Sequence, residues 1–158
     1  MPGRSFVTAR WLALLVPGAL MAGALGSQYL GGLYPCEMCH WQRWPHYAAI
    51  LLALLAFVLP ARAPRGVLVA LAAFAVLTSG AIGVFHAGVE YHWWPGITAC
   101  SSTVAAGGDP LAAIMHAPIV RCDVPQWSFA GISLAGFNAL FSLGGGIAIL
   151  ALMAARRR

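Results

Sequence analysis

Long apolar runs alternate with short polar connections along this chain of 158 residues. Four stretches hold no Asp, Glu, Lys or Arg: residues 11–36, 44–61, 66–89 and 124–155. A helix that crosses a bilayer needs about 20 apolar residues, so each run is long enough or nearly so. The second is the shortest, and it takes its first turn from the polar residues before it. Inside hydrocarbon every backbone N–H and C=O must be satisfied within the segment, and these runs are helix-like rather than alternating. The pattern predicts an all-α integral membrane four-helix bundle, one domain over residues 1–158, with spans near 11–32, 41–60, 66–87 and 127–154. Two loops, near 33–40 and 88–126, then lie on one side, and a minimal turn around Pro60 to Arg65 lies on the other. Small residues recur every four positions at Gly18, Ala22 and Gly26 in the first run, and at Ser79, Gly83 and Ala87 in the third. That spacing lets helices approach closely.

Composition agrees with a membrane protein. Hydrophobic residues make up 61% of the chain and charged ones 8%, with a mean hydropathy of +0.81; a soluble domain carries roughly 25% charged residues. Nine arginines, no lysine and four acids give a formal charge of +5. A basic balance can mark a nucleic-acid binder, but these arginines stand singly at the ends of apolar runs, apart from the last three. No nucleic-acid partner is expected. Arg4, Arg10, Arg62, Arg65, Arg156, Arg157 and Arg158 fall on one side of the predicted bundle, leaving only Arg43 and Arg121 on the other. The positive-inside rule puts the larger set in the cytoplasm. Both termini are then cytoplasmic, and both loops face out. In a bacterial inner membrane that is the periplasm, where disulfides persist. Ala22-Gly23-Ala24 imitates a signal-peptidase site, but the uncharged run continues too far past it for a signal core, so the segment reads as a retained span.

The candidate chemistry sits in the outward loops. Cys36 and Cys39 form a CxxC in the first, and Cys100 and Cys122 lie in the second. A CxxC at a helix N-terminus has sulfurs within disulfide reach and an acidified thiol. Cys39 is expected in the first turn of the second helix, and Arg43, four residues on, over the same face. A guanidinium there stabilises a thiolate or a neighbouring anion, although an interfacial arginine can also be a snorkelling anchor. Glu37 works against a thiolate. Cys36-Glu37-Met38-Cys39-His40 also matches the C-x-x-C-H haem-attachment pattern, which would make the protein a haem-bearing membrane anchor. The loops are short for a cytochrome domain, and haem leaves Cys100 and Cys122 without a use. A four-thiolate zinc site would show two CxxC pairs, so no metal is expected. Static structural disulfides remain the plainest alternative, against which the CxxC spacing argues. Two thiol pairs at one membrane face point instead to electrons moving between disulfides. In the second loop, residues 110–116 behind Asp109 as N-cap read as a short helix on the bilayer surface.

Tyr34-Pro35-Cys36-Glu37-Met38-Cys39-His40-Trp41-Gln42-Arg43 resembles the core motif of the DsbB family of quinone-dependent disulfide oxidases. His86-Ala87-Gly88-Val89-Glu90 with Ala99-Cys100-Ser101, and Cys122-Asp123 leading through Trp127 to Gly131-Ile132-Ser133, are similar to further family segments. The resemblance implies a membrane thiol:quinone oxidoreductase that reoxidises a soluble periplasmic DsbA-like oxidoreductase. Cys100–Cys122 would take the electrons, with Cys100 forming the mixed disulfide. Cys122 would exchange with Cys36, Cys39 would face the quinone, and Arg43 would assist electrostatically. Gln28 and His86 match family positions near the quinone, His86 less closely because its spacing to Cys100 varies. The implied cofactor is ubiquinone or menaquinone from the membrane quinone pool. His40 departs from the family's commoner apolar or aromatic neighbour and is given no role. A related quinone-linked oxidase dedicated to another secreted substrate is the alternative within the same chemistry.

Overall fold

A computed structural model describes residues 3–60, 62–98, 101–102 and 119–155. Its frame is four helices: α1 (Arg4–Tyr29), α2 (Glu37–Val58), α3 (Arg65–Glu90) and α4 (Leu134–Ala155). Each packs on its two neighbours around the bundle, in the order α1, α2, α3, α4, with the α2–α3 and α3–α4 faces the most extensive. The all-α bundle expected from the sequence is what forms. Three of the helices, α1, α3 and α4, are long and apolar enough to cross a membrane. The exception is α2, whose first half carries Glu37, Cys39, His40, Gln42, Arg43 and His46. It is the polar member of the bundle, and it brings the site.

Two helix ends differ from the hydrophobic pattern. The first helix starts at Arg4 rather than near 11, because Phe6 and Ala9 continue its buried face. The last starts at Leu134 rather than 127. Residues before it fold into a hairpin, β3 (Ser128–Phe129) against β4 (Ile132–Ser133), whose turn residues Ala130 and Gly131 have φ of 50° and 78°. Positive φ at both central positions is what a two-residue type I′ turn demands. The Ser133 hydroxyl then accepts the Gly136 N–H at 3.1 Å and caps α4. An uncharged run cannot reveal a turn; the Gly131 and Ser133 pair does. A second short ladder pairs β1 (Ser101–Ser102) with β2 (Ile119–Val120). The expected surface helix at 110–116, with Asp109, lies outside the described residues.

At the end holding the α2–α3 turn, the core is small and dry. Ala9, Ala13, Ala49, Ala53, Ala56, Ala72 and Ala73 are fully buried with Val69, Val76 and Ile149, and Phe6 is buried beside them. Small side chains at four-residue spacing bring backbones close, and dispersion then replaces a hydrophobic driving force that lipid cannot supply. The stripe expected on the third helix packs as predicted: Ser79, Gly83 and Ala87 are buried. A Cβ at Gly83 would come within 3.0 Å of Ala139 N and 3.1 Å of Ala135 O. The stripe on the first helix does not pack. Space is open where Gly18 and Gly26 would carry a Cβ, and Ala9, Ala13, Pro17 and Met21 are buried instead. One residue of helix is a rotation of about 100°, enough to turn that stripe away from its neighbours. The adjoining positions Ala19, Gly23 and Ser27 line a cavity.

Candidate redox site

Pro35 ends the extended link from α1, and Cys36 N-caps α2 with φ −76° and ψ 174°. Its sulfur accepts the Cys39 N–H at 3.3 Å and lies 2.9 Å from Cys39 Sγ. Cys39 therefore stands in the first turn of α2, as the motif predicted. Both sulfurs precede the apolar part of that helix. The two thiols share a proton. Donating its S–H to Cys39 in a dry setting, Cys36 is pushed far above the ordinary thiol range. The same contact, helped by the Arg43 charge, draws Cys39 below it against the cost of its burial. The thiolate is the reactive form of a CxxC cysteine, and this contact favours it at Cys39.

The connection between α3 and α4 delivers a third sulfur. Cys122 is buried, and its Sγ, Cys36 Sγ and a His86 ring nitrogen all lie within 4.8 Å of one another. The loops are tied by Gln126, which donates to the Tyr34 carbonyl at 2.5 Å. Outside this contact, Arg121 forms an exposed two-point pair with Asp123 at 2.9 and 2.5 Å, holding the Asp123 carboxyl below its usual range. Cys36, His86 and Cys122 are also donors of the kind zinc accepts. With a CxxC partner sulfur in contact, they make a thiol-exchange set as well. Cys100 lies outside the described residues.

His86 projects from α3 and is 2% exposed, so it does not snorkel to water. Its Nε2 is 3.5 Å from Cys36 Sγ and 3.7 Å from a Glu90 carboxylate oxygen, and its Nδ1 is 2.7 Å from Gln42 Nε2. Arg43 is buried between α1 and α2, donating to Gln28 Oε1 at 2.5 Å and to the Ala24 carbonyl at 3.2 Å. A guanidinium used in this way is fixed in place rather than free to reach the surface.

Two cavities meet at Cys39 and Arg43. The larger, about 190 Å³, lies between α1, α2 and α4, with mostly apolar walls that include Ala19, Gly23, Leu134 and Phe137. The smaller, about 50 Å³, opens beside Cys36, His86, Arg121 and Trp127. Cys36 and His86 line the smaller cavity alone. Gln28 lines neither and reaches the site through Arg43. His40, the third member of the haem-like pattern, is exposed and lines neither cavity. Glu90, Gln42, His46 and Asn138 are site residues that a scan for full charges passes over or leaves without a role. Their signal was available. Cys39, Gln42, Arg43 and His46 repeat at helical spacing along one face, and a polar side chain inside an apolar span marks function.

A dithiol at the mouth of an apolar cavity, with a further thiol from a second loop laid on it, defines a membrane protein built for thiol–disulfide chemistry. The chain belongs to the DsbB family: the family model described as disulfide bond formation protein DsbB matches residues 7–153. It is similar to disulfide bond formation protein B of Verminephrobacter eiseniae, 34% identical over 148 residues, covering 86% of this chain and 79% of that one. The protein of the same description from a Polaromonas species is 31% identical over 135 residues, covering 77% and 75%. That from Marinobacter nauticus is 28% identical over 148 residues, covering 85% and 86%. No solved structure matches. Disulfide bond formation is the function the family supports.

Proposed function

We propose that this chain is a thiol:quinone oxidoreductase of the bacterial inner membrane that reoxidises a soluble periplasmic dithiol protein of the DsbA type. The observation that carries the reading is the line of sulfurs: Cys122 against Cys36, Cys36 against Cys39, and Cys39 in the wall of the larger cavity. In the first exchange a partner thiolate attacks Cys100 of the Cys100–Cys122 disulfide and releases Cys122. The second partner thiol resolves the mixed disulfide, leaving the partner oxidised and the pair reduced. Cys122 then attacks Cys36 of the Cys36–Cys39 disulfide and frees Cys39 as a thiolate. Cys100 resolves the Cys122–Cys36 bond, restoring its own disulfide and leaving Cys36 and Cys39 as the dithiol. Each step is attack by thiolate on a disulfide sulfur, so electrons and bonds balance throughout.

The larger cavity fits a lipid quinone head group. It lies between α1, α2 and α4, its walls are mostly apolar, and it presents the Cys39 sulfur and the Arg43 guanidinium side by side. When bound, ubiquinone or menaquinone supplies an acceptor for the two electrons and two protons of the dithiol. Cys39 presents the reacting sulfur there, and Arg43, anchored by Gln28 and Ala24, holds a fixed positive charge beside it. The seven-to-two division of arginines supports an orientation with the cysteines outward.

The test follows oxidation of a reduced DsbA-type protein with quinone as sole acceptor. Wild type should turn over many equivalents. Cys100→Ser and Cys122→Ser should lose partner oxidation yet retain quinone, whereas Cys36→Ser and Cys39→Ser should block delivery to quinone. Full activity in the Cys100 and Cys122 variants would reduce the second pair to a structural role.

A further inference from the structure

Between the sulfurs and the middle of the bundle runs a set of side-chain amides that the exchange chemistry does not use. Gln42 on α2 is 6% exposed and joins three helices. Its Nε2 faces the Met38 carbonyl at 3.2 Å and His86 Nδ1 at 2.7 Å. Its Oε1 accepts from Asn138 Nδ2 of α4 at 2.7 Å. Asn138 is oriented in turn: its Oδ1 accepts from the Ser142 hydroxyl at 2.9 Å and faces His46 Nε2 at 2.9 Å. Ser79 of α3 donates its hydrogen to the Gln42 carbonyl at 2.8 Å, leaving a lone pair toward Asn138 Nδ2 at 3.1 Å.

Donor counting leaves one consistent direction for this ladder. An amide has two hydrogens on nitrogen and none on oxygen. Asn138 must present Nδ2 on the side of Gln42, because the Ser79 backbone carbonyl there, at 3.2 Å, can only accept, as the Met38 carbonyl beside Gln42 Nε2 can only accept. Gln42 must then present Oε1 to Asn138 and Nε2 to His86. A neutral imidazole that receives a hydrogen bond at Nδ1 carries its own hydrogen on Nε2. That N–H faces the Cys36 sulfur at 3.5 Å, beside a Glu90 carboxylate oxygen at 3.7 Å, and the Cys122 backbone carbonyl is a further acceptor for the ring.

We infer that Asn138 and Gln42 are positioning residues that lock His86 as the Nε2–H tautomer, so that it donates to Cys36 sulfur as that sulfur departs from Cys122. The role at Cys36 rests on the proposed relay; the tautomer does not. In the resolving exchange Cys100 attacks Cys122, the Cys122–Cys36 bond breaks, and Cys36 leaves as a thiolate. Two donors then meet it: the Cys39 backbone N–H and the His86 Nε2–H. With the opposite tautomer, His86 would turn a lone pair toward the leaving anion. Gln42 and Asn138 also line the larger cavity, so the cavity wall and the sulfur exchange share one hydrogen-bonded unit.

The experiment reads the tautomer and the exchange separately. In the resting full-length protein, histidine labelled with ¹⁵N should show His86, assigned by its loss in His86→Ala, with Nδ1 as the pyridine-type nitrogen. Gln42→Met and Asn138→Leu, which remove one donor each, should broaden or reverse that signature. Asn138 touches neither His86 nor a sulfur in any hydrogen bond, so a merely structural role would not predict this. In acid-quenched turnover with a reduced dithiol partner, the Cys36–Cys122 linked species should persist roughly fivefold longer in both variants, the effect of losing one hydrogen bond. A wild-type His86 with its hydrogen on Nδ1 overturns the inference without any substitution. So does an unchanged signature in both variants. A correct tautomer with no Cys36–Cys122 species in wild type or variant would instead contradict the relay, and with it the catalytic half of this inference.

Discussion

The bundle is two different solids joined along four helices. Around the α2–α3 turn, alanine, valine and single large residues such as Phe6 and Ile149 fill the interior with no hydrogen-bonding side chain in the core cluster. Around the cysteines the same helices give up close packing. Ala19, Gly23 and Ser27 leave room for a cavity, and Gln42, His46, Ser79, His86, Asn138 and Ser142 hydrogen-bond across the bundle centre. Met38 and Val89 pack behind the sulfurs of Cys36 and Cys122. In hydrocarbon neither end gains much from the hydrophobic effect. The first end is held by contact, and the second by directed hydrogen bonds that also orient reacting groups. A substitution at the first end should change stability without touching chemistry, and one at the second should do the reverse.

The sharpest break in that comparison comes at the sulfurs. Replacing any one of Cys36, Cys39, Cys100 or Cys122 by serine should abolish quinone-linked oxidation of a protein dithiol, measured by thiol titration of the partner, while the melting midpoint in detergent moves little. Next is Arg43. Arg43→Met should lower quinone-linked turnover roughly 30- to 150-fold, the effect of about 2–3 kcal/mol for a charge-assisted contact in a low-dielectric site. Arg43→Lys should keep part of the rate, less the paired contacts to Gln28 and Ala24. Exchange between Cys100–Cys122 and the soluble partner should survive both. Equal quinone-linked rates for wild type and Arg43→Met would leave Arg43 as an anchor.

At the dry end the effect should appear in stability alone. Ala72 is fully buried, and Ala72→Leu should cost about 1–3 kcal/mol by overpacking, read as an earlier unfolding transition, with activity per folded molecule unchanged. Loss of activity in step with correct folding would mean that the ends are not independent. The smallest effect belongs to Asp123. Its lowered carboxyl pKa contributes stability above the unfolded value, and that contribution disappears as pH falls through the folded one. The pair with Arg121 is exposed, however, so Asp123→Asn should leave the melting midpoint where it was at neutral pH.

Much of this division could be read from the chain. Absence of charge gave the helices, since four long runs leave the backbone no other way to satisfy itself in lipid. The CxxC and Arg43 gave the chemical end, because cysteine spacing and helical period are local properties. What escaped depends on several segments at once. The hairpin before α4 is hidden in an uncharged run and rests on the φ of Ala130 and Gly131. The Gly18, Ala22 and Gly26 stripe fails because helix phase is decided by neighbours. Gln42, Asn138 and Ser79 carry no charge, and their partners lie 44, 96 and 37 residues away along the chain. No local pattern announces such a contact.

The central claim is that the α1–α2 and α3–α4 connections bring Cys122 onto Cys36 for exchange. It is tested most directly in the double variant Cys39→Ser/Cys100→Ser, which keeps only those two cysteines. Mild oxidation of the folded protein, followed by peptide mapping without reduction, should recover a Cys36–Cys122 disulfide in most molecules, as sulfurs within 4.8 Å require. Two free thiols, both alkylated after the same treatment, would contradict the account.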